Sequence, residues 1–304
     1  MLLRLFTVNI FIVSFVFADL YFSAIPMEKI KNERKYNLGK WLFFDKNLSA
    51  DKTISCASCH DFSKGGADGS SVSLGVARRK GVFNSPTIFN DRFNVTQDWS
   101  GEYTTIKDRA KMAFLSKIEM AGDIHKVVEY VKSDKYLQKE FKEIYKTINE
   151  DVIFDAIAYF VSNLTTPNSK FDKYLKGDVT ALNKDEKEGY KLFKNYGCAS
   201  CHNGVNLGGN MYQKIGIFNE DKIIRDKYLG RYKITKKESD KYVYKVPSLR
   251  YVTKTSPYLH NGSVKDLKKV IKLMAKHQLG VEMPNEDAVK IEFFLKSLVG
   301  DIPR

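Results

Sequence analysis

All four cysteines of the chain lie in two copies of one pentapeptide, CASCH, at residues 56–60 and 198–202. In a C-x-x-C-H motif the two thiols are spaced to form thioether bonds to one haem, and the adjacent histidine can bind its iron. The sequence therefore predicts two covalent c-type haems. The residues assigned to them are Cys56, Cys59 and His60 for the first haem, and Cys198, Cys201 and His202 for the second.

Zinc binding and disulfide bonding are the alternative uses of these cysteines. Two C-x-x-C pairs can bind one zinc ion, and four cysteines in an exported chain can form two disulfides. A zinc site would not need a histidine after each pair, and its pairs usually lie closer together in sequence. The two histidines therefore favour haem.

The residues around the two motifs also repeat, which predicts two related domains. A G-x-x-L-F pattern precedes each motif, at residues 39–43 and 189–193, and a glycine pair follows each, at 65–66 and 208–209. In each half, this arrangement predicts a short helix that leads into the haem motif and packs its apolar face on the porphyrin.

Helical spacing of apolar residues dominates the rest of the chain. Apolar positions within residues 152–164 follow Asn149 and two acids, and predict a capped helix. A similar stripe within residues 288–298 predicts a second helix with Asn285 as its cap. Because strand patterns are few, the expected fold is mainly α, with two cytochrome c-like helical domains that each carry one covalent c-type haem.

The first 18 residues differ from those that follow. Arg4 precedes an uncharged apolar run, and Val16 and Ala18 are small residues spaced for cleavage after Ala18. Residues 1–18 therefore predict a signal peptide, and an uncleaved membrane anchor is the alternative. Either form exports the folded part, so the expected location is the periplasm.

Length and composition predict two globular domains. The chain has 304 residues, and this length exceeds the size at which one core usually stops growing. Its residues are 43% hydrophobic and 28% charged, as in globular proteins. The stretch 165–183 contains Pro167 and predicts the connection between the domains. The first haem domain is therefore placed at 19–170 and the second at 171–304.

The formal net charge of +14 bears on the partner. The lysines are spread along the chain, no nucleic-acid-binding motif is present, and export argues against a nucleic-acid ligand. The charge predicts a solvated surface that attracts an acidic protein partner.

Five further stretches occur in a fixed order along the chain. They are SADKTISCASCHDFSKGGADG around the first haem motif, TPNSKFDKYLKG in the connecting stretch, VPSLR at 246–250, SPYLHNGSV at 256–264 and IKLMAKHQLG at 271–280. Together they resemble the bacterial dihaem cytochrome c peroxidases, a family related to the dihaem enzymes that mature methylamine dehydrogenase. The resemblance implies reduction of hydrogen peroxide at a low-potential first haem. It also implies a high-potential second haem as electron store, and a small c-type cytochrome as donor.

The resemblance assigns roles to residues outside the haem motifs. It implies that Met274 is the second axial ligand of the second haem, whereas the residues alone leave Met211 and Met283 open as well. It implies that Glu119, in KIEMAGD, moves the protons of peroxide, which a carboxylate beside an open haem face can do. Trp99, in QDWSGEY, is implied to assist electron transfer between the haems.

The resemblance also implies a calcium ion between the domains, bound by oxygen atoms of Asn84, Thr255 and Pro257. Arg231 and Arg250 are expected to pair with haem propionates, because guanidinium groups suit carboxylates.

Three histidines lie outside the haem motifs. His260, in SPYLHNGSV, is expected to hydrogen-bond near the second haem. His125 and His277 are expected to be ordinary surface or helix residues.

The chain departs from the family pattern around the first haem. Family members often carry a histidine in the loop SLGVARRKG, at residues 73–81, that binds the first iron and must leave before peroxide binds. Here that position is Val76, which has no lone pair for iron. The substitution predicts a first haem that is open in the fully oxidised protein, with water or Met120 as the alternative sixth ligand. Arg109 also stands where a pocket glutamine is common, and residues 100–102 read SGE where the family has DGR.

Two other functions remain as alternatives. A dihaem oxidase that modifies a protein partner would carry a tyrosine at the position of Met274, and a non-catalytic electron carrier would lack the pocket acid that Glu119 supplies. The peroxidase interpretation is therefore favoured. The sequence leaves the oligomeric state open, and a homodimer is one of the possible assemblies.

Overall fold

A computed structural model describes residues 21–302, and the predicted signal peptide lies outside this range. The helices are α1 (Glu33–Phe44), α2 (Cys56–Cys59), α3 (Ile106–Leu115), α4 (Ile124–Ser133), α5 (Lys135–Tyr145), α6 (Glu150–Ser162), α7 (Lys170–Leu175), α8 (Lys184–Asn195), α9 (Tyr232–Thr235), α10 (Leu267–Leu279) and α11 (Asn285–Lys296). A short antiparallel pair joins β1 (Tyr212–Lys214) to β2 (Val243–Lys245). The mainly α expectation is confirmed. Within 21–302, no helix is both long and apolar enough to cross a membrane.

The helices pack around two hydrophobic cores. The first core takes its buried residues mainly from α1 and α3 to α6, and the second mainly from α7, α8, α10 and α11. Each core contacts one haem motif, through Cys56 in the first and Ala199 in the second. Phe22, which precedes α1, packs against Phe171 in the second core. The chain therefore contributes to the second core before it builds the first.

The repeated G-x-x-L-F pattern marks the closest approach of two helices in each half. A Cβ atom on Gly39 of α1 would lie 2.0 Å from the carbonyl oxygen of Ala156 on α6. A Cβ atom on Gly189 of α8 would lie 1.8 Å from the carbonyl oxygen of Lys290 on α11. Only glycine permits backbones to approach so closely. The internal repeat is therefore a repeated pair of crossed helices.

Of the two helix caps predicted from the sequence, one is confirmed and the other is wrong. Asn149 caps α6 as predicted, with its side-chain oxygen accepting a hydrogen bond from the backbone N–H of Val152 at 3.2 Å. Asn285 does not cap α11, because the helix begins one residue earlier than that cap requires. Pro284 occupies the cap position, and no side chain caps this helix.

The connecting stretch 165–183 is more ordered than its proline and glycine suggest. It contains α7, which Ser169 caps by accepting a hydrogen bond from the backbone N–H of Asp172 at 3.0 Å. Phe171 is fully buried in the second core. From Ser169 onward this stretch is therefore part of the second half of the molecule.

Candidate haem sites and peroxide pocket

The first CASCH segment forms the single turn of α2, and His60 follows at its end. Nδ1 of His60 donates a hydrogen bond to the carbonyl oxygen of Gly66 at 3.1 Å. Burial lowers the pKa of His60 to about 4, against a smaller opposing effect of this hydrogen bond. The ring is therefore neutral at pH 7, and the Nδ1–H donation leaves Nε2 as the nitrogen with a lone pair for iron.

His202 repeats this arrangement in the second half. The residues Cys198–Ser200 form one 3₁₀ turn, and Nδ1 of His202 donates to the carbonyl oxygen of Leu207 at 3.3 Å. Burial lowers the pKa of His202 to about 4. A Cβ atom on Gly208 would lie 3.3 Å from this Nδ1 and 2.2 Å from the carbonyl oxygen of Pro247, so glycine is required beside the ring.

The donor sets at both motifs fit c-type haem. Each combines a neutral histidine with two thiols that the structure leaves as free cysteines. Burial raises the pKa of Cys56 and of Cys198 to about 12, so both thiols are protonated. Residues 21–302 contain no group of three or more His, Cys, Asp or Glu side chains arranged around a metal ion. Each motif therefore offers two thiols for thioether bonds and one imidazole for iron.

Glu119 pairs with Arg109 beside the first haem motif. Nη1 and Nη2 of Arg109 donate to the Glu119 carboxylate at 3.2 to 3.3 Å, and the two side chains are 32% and 37% exposed. Met120, which follows Glu119, belongs to the core against which Cys56 packs. The charges of Arg109 and Glu119 act on the thiols of Cys56 and Cys59. The structure thus brings the Glu119 carboxyl group, held by the Arg109 guanidinium, to a position that a small solute can reach.

The loop at 73–81 holds the backbone that carries Glu119. The N–H of Val76 donates to the carbonyl oxygen of Glu119 at 2.8 Å, and Nη1 of Arg79 donates to the carbonyl oxygen of Lys117 at 2.7 Å. The side chain of Val76 is buried. This loop is therefore fastened to the Glu119 segment by hydrogen bonds at two positions.

Met120, the alternative sixth ligand of the first haem, is also buried and belongs to the first core. The methionines considered for the second haem differ from one another in burial. Met283 is buried in the second core, whereas Met211 and Met274 are half-buried. Met274 lies on α10, which packs against α11.

Trp99 contacts backbone from both halves of the molecule. Its Nε1 donates to the carbonyl oxygen of Asn84 at 2.8 Å, and its own carbonyl oxygen accepts from the N–H of Lys245 on β2 at 2.8 Å. Its ring lies edge-on to the ring of His260, with centroids 6.4 Å apart. Trp99 is therefore placed between a loop of the first half and elements of the second.

Arg250 does not lie free to meet a haem propionate, and that expectation is wrong. It is fully buried and its Nη1 lies 2.9 Å from Oδ1 of Asp172, which is also fully buried. Its other donors reach the carbonyl oxygen of Val205 and the hydroxyl of Ser169. The carboxylate that this guanidinium binds is thus supplied by the connecting stretch.

Arg231 lies beside the loop that follows Trp99. Its Nη1 donates to the carbonyl oxygen of Ser100 at 3.3 Å, and its guanidinium carbon lies 4.0 Å from the centre of the Tyr212 ring. The hydroxyl of Ser100 is the one buried side-chain oxygen or nitrogen within 21–302 that has no hydrogen-bond partner. A buried hydroxyl without a partner marks a place where an acceptor is expected to bind.

The three remaining histidines have different surroundings. His260 is buried, its Nε2 lies 3.3 Å from Oδ1 of Asp226, and its ring stacks on Tyr244 with centroids 4.4 Å apart. His125 is exposed at the start of α4, as expected. His277 lies on α10, which is the helix alternative of its expectation, and it is buried, with Nδ1 donating to the carbonyl oxygen of Asn219 at 2.8 Å.

The loops that carry the predicted calcium ligands lie next to one another. Nδ2 of Asn84 donates to the carbonyl oxygen of Ser70 at 2.8 Å. A Cβ atom on the adjacent Gly69 would lie 3.9 Å from the carbonyl oxygen of Ser256, which precedes Pro257. The loop that contains Thr255 and Pro257 is therefore close to the loop that contacts Asn84.

The fold and these sites define a c-type haem protein with one haem motif in each half and a glutamate near the first motif. Residues 33–180 match the family model described as di-haem cytochrome c peroxidase. The chain is 41% identical to cytochrome c551 peroxidase of Nitrosomonas europaea, across 91% of this chain and 85% of the relative. It is 38% identical to cytochrome c551 peroxidase of Pseudomonas aeruginosa, across 90% and 81%. The chain therefore belongs to the dihaem cytochrome c peroxidase family, as the sequence motifs predict.

Two further comparisons add detail on length and fold. The chain is 43% identical to cytochrome c peroxidase Ccp of Escherichia coli across 91% of this chain, but it spans only 60% of that relative's length. The crystal structure of a MauG-like protein associated with microbial copper homeostasis superposes with a TM-score of 0.79. That structure is 25% identical, and the match covers 91% of this chain and 92% of the other.

Proposed function

We propose that the protein is an exported, periplasmic peroxidase that reduces hydrogen peroxide with electrons from a small c-type cytochrome. The reaction consumes one peroxide, two electrons and two protons, and releases two molecules of water. The observation that carries the proposal is the contact between Arg109 and Glu119 beside the first haem motif. The names of the relatives, which are cytochrome c peroxidases, support it.

Two c-type haems, when bound at His60 and His202, would supply the iron that takes peroxide and the two reducing electrons. The chain's own contribution is proton transfer. The side chain of Glu119 accepts the proton of the nearer peroxide oxygen and returns it to the farther oxygen, which leaves as water. Arg109 holds the carboxylate in place during both transfers.

Trp99 and Met274 are proposed for the delivery of the stored electron. The hydrogen bond from Nε1 of Trp99 to Asn84 holds its ring, and the bond from the N–H of Lys245 holds its backbone, between the two halves, where the ring can couple them electronically. Met274 is proposed to hold the iron of the second haem together with His202, and a methionine ligand there would raise the potential of that haem. The unpartnered hydroxyl of Ser100, next to Arg231, supports a propionate-binding role for that arginine.

We also propose that the first haem is open in the fully oxidised protein, because Val76 offers no ligand. Peroxide reduction that starts from fully oxidised protein is then expected to begin without a lag, at the same rate as from pre-reduced protein. Steady-state oxidation of a reduced c-type cytochrome measures both rates. Absence of activity from both starting states would contradict the peroxidase function itself. A lag that occurs only from the oxidised protein would contradict only the open haem.

Introducing the missing ligand is expected to create the lag. In Val76→His, the oxidised protein should show a low-spin first haem and little initial activity, and pre-reduction should restore the rate. Val76→Ala is the matched control, because alanine also lacks a lone pair and should leave the immediate activity in place. Immediate activity and an unchanged spectrum in Val76→His would show that this loop does not reach the iron.

A calcium ion between the halves is proposed on the adjacency of the loops that carry Asn84, Thr255 and Pro257. Asn84 also accepts the Nε1–H of Trp99 on its carbonyl oxygen, so a bound ion would order the residue that fixes Trp99. Removing calcium with a chelator is expected to lower peroxide turnover, and added Ca²⁺ is expected to restore it. Mg²⁺ should restore less, because it demands a smaller octahedral site and gives up water reluctantly. Turnover that is unaffected by the chelator, in haem-loaded protein shown to contain no calcium, would contradict the site.

A further inference from the structure

We propose that Arg109 is itself a catalytic residue of the peroxide pocket, in addition to holding Glu119. This inference rests on the proposed peroxidase function. It identifies the group that stabilises the negative charge on the departing oxygen. As the O–O bond breaks, the electron pair goes to the farther oxygen, which gains negative charge until a proton reaches it. Arg109 donates a hydrogen bond to that oxygen while Glu119 returns the proton taken from the nearer one, so that water leaves.

The geometry leaves the guanidinium able to do both. Arg109 makes three hydrogen bonds to the Glu119 carboxylate, and a guanidinium carries more N–H donors than these contacts use. In the part of the chain that the structure describes, Glu119 is the one hydrogen-bond acceptor of this side chain. The remaining N–H groups are therefore available to a small ligand that enters beside the carboxylate.

The position of Arg109 within the fold is fixed independently of Glu119. It lies in the first turn of α3, whose start Thr105 caps by accepting the N–H of Asp108 at 3.0 Å. Its guanidinium carbon also lies 5.8 Å from the centre of the Tyr103 ring. Loss of Glu119 would thus leave in place the helix turn that carries Arg109 and the Tyr103 ring beside its guanidinium.

The charge of Arg109 is maintained by its surroundings and reaches the first haem motif. Burial lowers the pKa of Arg109, but the charges of Glu119 and Asp98 and the hydrogen bonds to Glu119 raise it more. The same positive charge acts on the ring of His60 and on the thiol of Cys59. A cation whose charge acts on this site favours the binding of anions and the release of an anionic oxygen.

Fluoride binding to the fully oxidised protein tests this role without any turnover. Fluoride is an anion that binds ferric iron and accepts hydrogen bonds, so its affinity reports the donor that Arg109 supplies. Arg109→Gln is expected to weaken fluoride binding about tenfold or more, which is the size of one hydrogen bond to a charged group, and Arg109→Lys should weaken it less. The matched control is Arg34→Gln, because Arg34 pairs with Glu140 on an exposed surface of the same half.

A double-substitution cycle separates a catalytic Arg109 from one that only positions Glu119. If Arg109 acts only through Glu119, the variant Arg109→Gln/Glu119→Gln should bind fluoride as Glu119→Gln does. If Arg109 acts directly, the double variant should lose the same further tenfold or more, and Arg109→Gln should lower peroxide turnover by about 10²- to 10³-fold.

The two proposals can fail separately. Fluoride affinity equal to the wild type in Arg109→Gln, or equal affinities in the double variant and Glu119→Gln, overturns the catalytic role of Arg109. Normal peroxide turnover in Glu119→Gln overturns the proton-transfer mechanism, and it leaves the fluoride result of Arg109→Gln intact. Haem content and helical circular dichroism show whether each variant is folded, and Arg109→Lys keeps the test open if Arg109→Gln is not.

Discussion

Replacing Glu119 with Gln is expected to lower the turnover of hydrogen peroxide by about two to four orders of magnitude, the contribution that a positioned acid–base group makes. Glutamine has nearly the same size, so it can keep a hydrogen bond to Arg109, but it does not accept and return a proton at neutral pH. The measurement is steady-state oxidation of a reduced c-type cytochrome by peroxide, with the concentration of each haem matched between variants.

Two further variants make this result specific. Glu119→Asp keeps the carboxylate but shortens its reach, and it is expected to retain more turnover than Glu119→Gln. Glu140→Gln removes a carboxylate from the Arg34 ion pair on α5 and is expected to leave turnover unchanged. Near wild-type turnover in Glu119→Gln would assign proton transfer to another group.

The features of the sequence that predicted structure correctly are local ones. Both haem motifs are contiguous pentapeptides, and each histidine finds its backbone acceptor within six residues, at Gly66 and Leu207. The helix at α6 is set by its own periodicity and by Asn149. Such features need no knowledge of which distant segments meet, and for that reason they can be read directly from the chain.

The features that the sequence did not predict depend on distant contacts. Arg109 and Glu119 are ten residues apart across the end of α3 and no helical spacing pairs them, so only the family resemblance placed Arg109 in the pocket, and its hydrogen bonds to Glu119 were not predicted. The sequence left a surface or a helix position open for His277, and it does not predict that this residue of α10 is buried with its ring donating to the carbonyl oxygen of Asn219. In the case of Arg250, the chemistry was right and the partner was wrong, because Asp172 lies 78 residues earlier in a stretch that had been interpreted as a linker.

The pair Arg250 and Asp172 joins the helix α7 to the second core, and this changes what the connecting stretch does. Asp172 also accepts hydrogen bonds from the backbone N–H of Ile25 at 3.0 Å and of Ser169 at 3.1 Å. The residue thus ties together the segment before α1, the start of α7 and the VPSLR motif. The connection between the two halves is therefore a packed element that fixes the second half, and its charge pair is a point on which that half depends.

Removing one member of this pair is expected to destabilise the protein strongly. Arg250→Met leaves the carboxylate of Asp172 buried without its counter-charge, which typically costs about 3 to 5 kcal/mol of the free energy of unfolding. The measurement is urea-induced unfolding of the haem-loaded protein, followed by far-ultraviolet circular dichroism. The exposed Arg34 pair again offers the control, and Arg34→Gln is expected to leave the unfolding midpoint close to that of the wild type.

The double variant Arg250→Met/Asp172→Leu is expected to recover part of the lost stability, because replacing a buried ion pair by apolar side chains is often neutral, whereas breaking it is costly. Recovery should be incomplete here, since the backbone N–H groups of Ile25 and Ser169 lose their acceptor and remain buried without a partner. A propionate-binding Arg250 would give a different pattern. Arg250→Met would then weaken retention or shift the potential of the second haem with little loss of stability, and Asp172→Leu would not compensate for it.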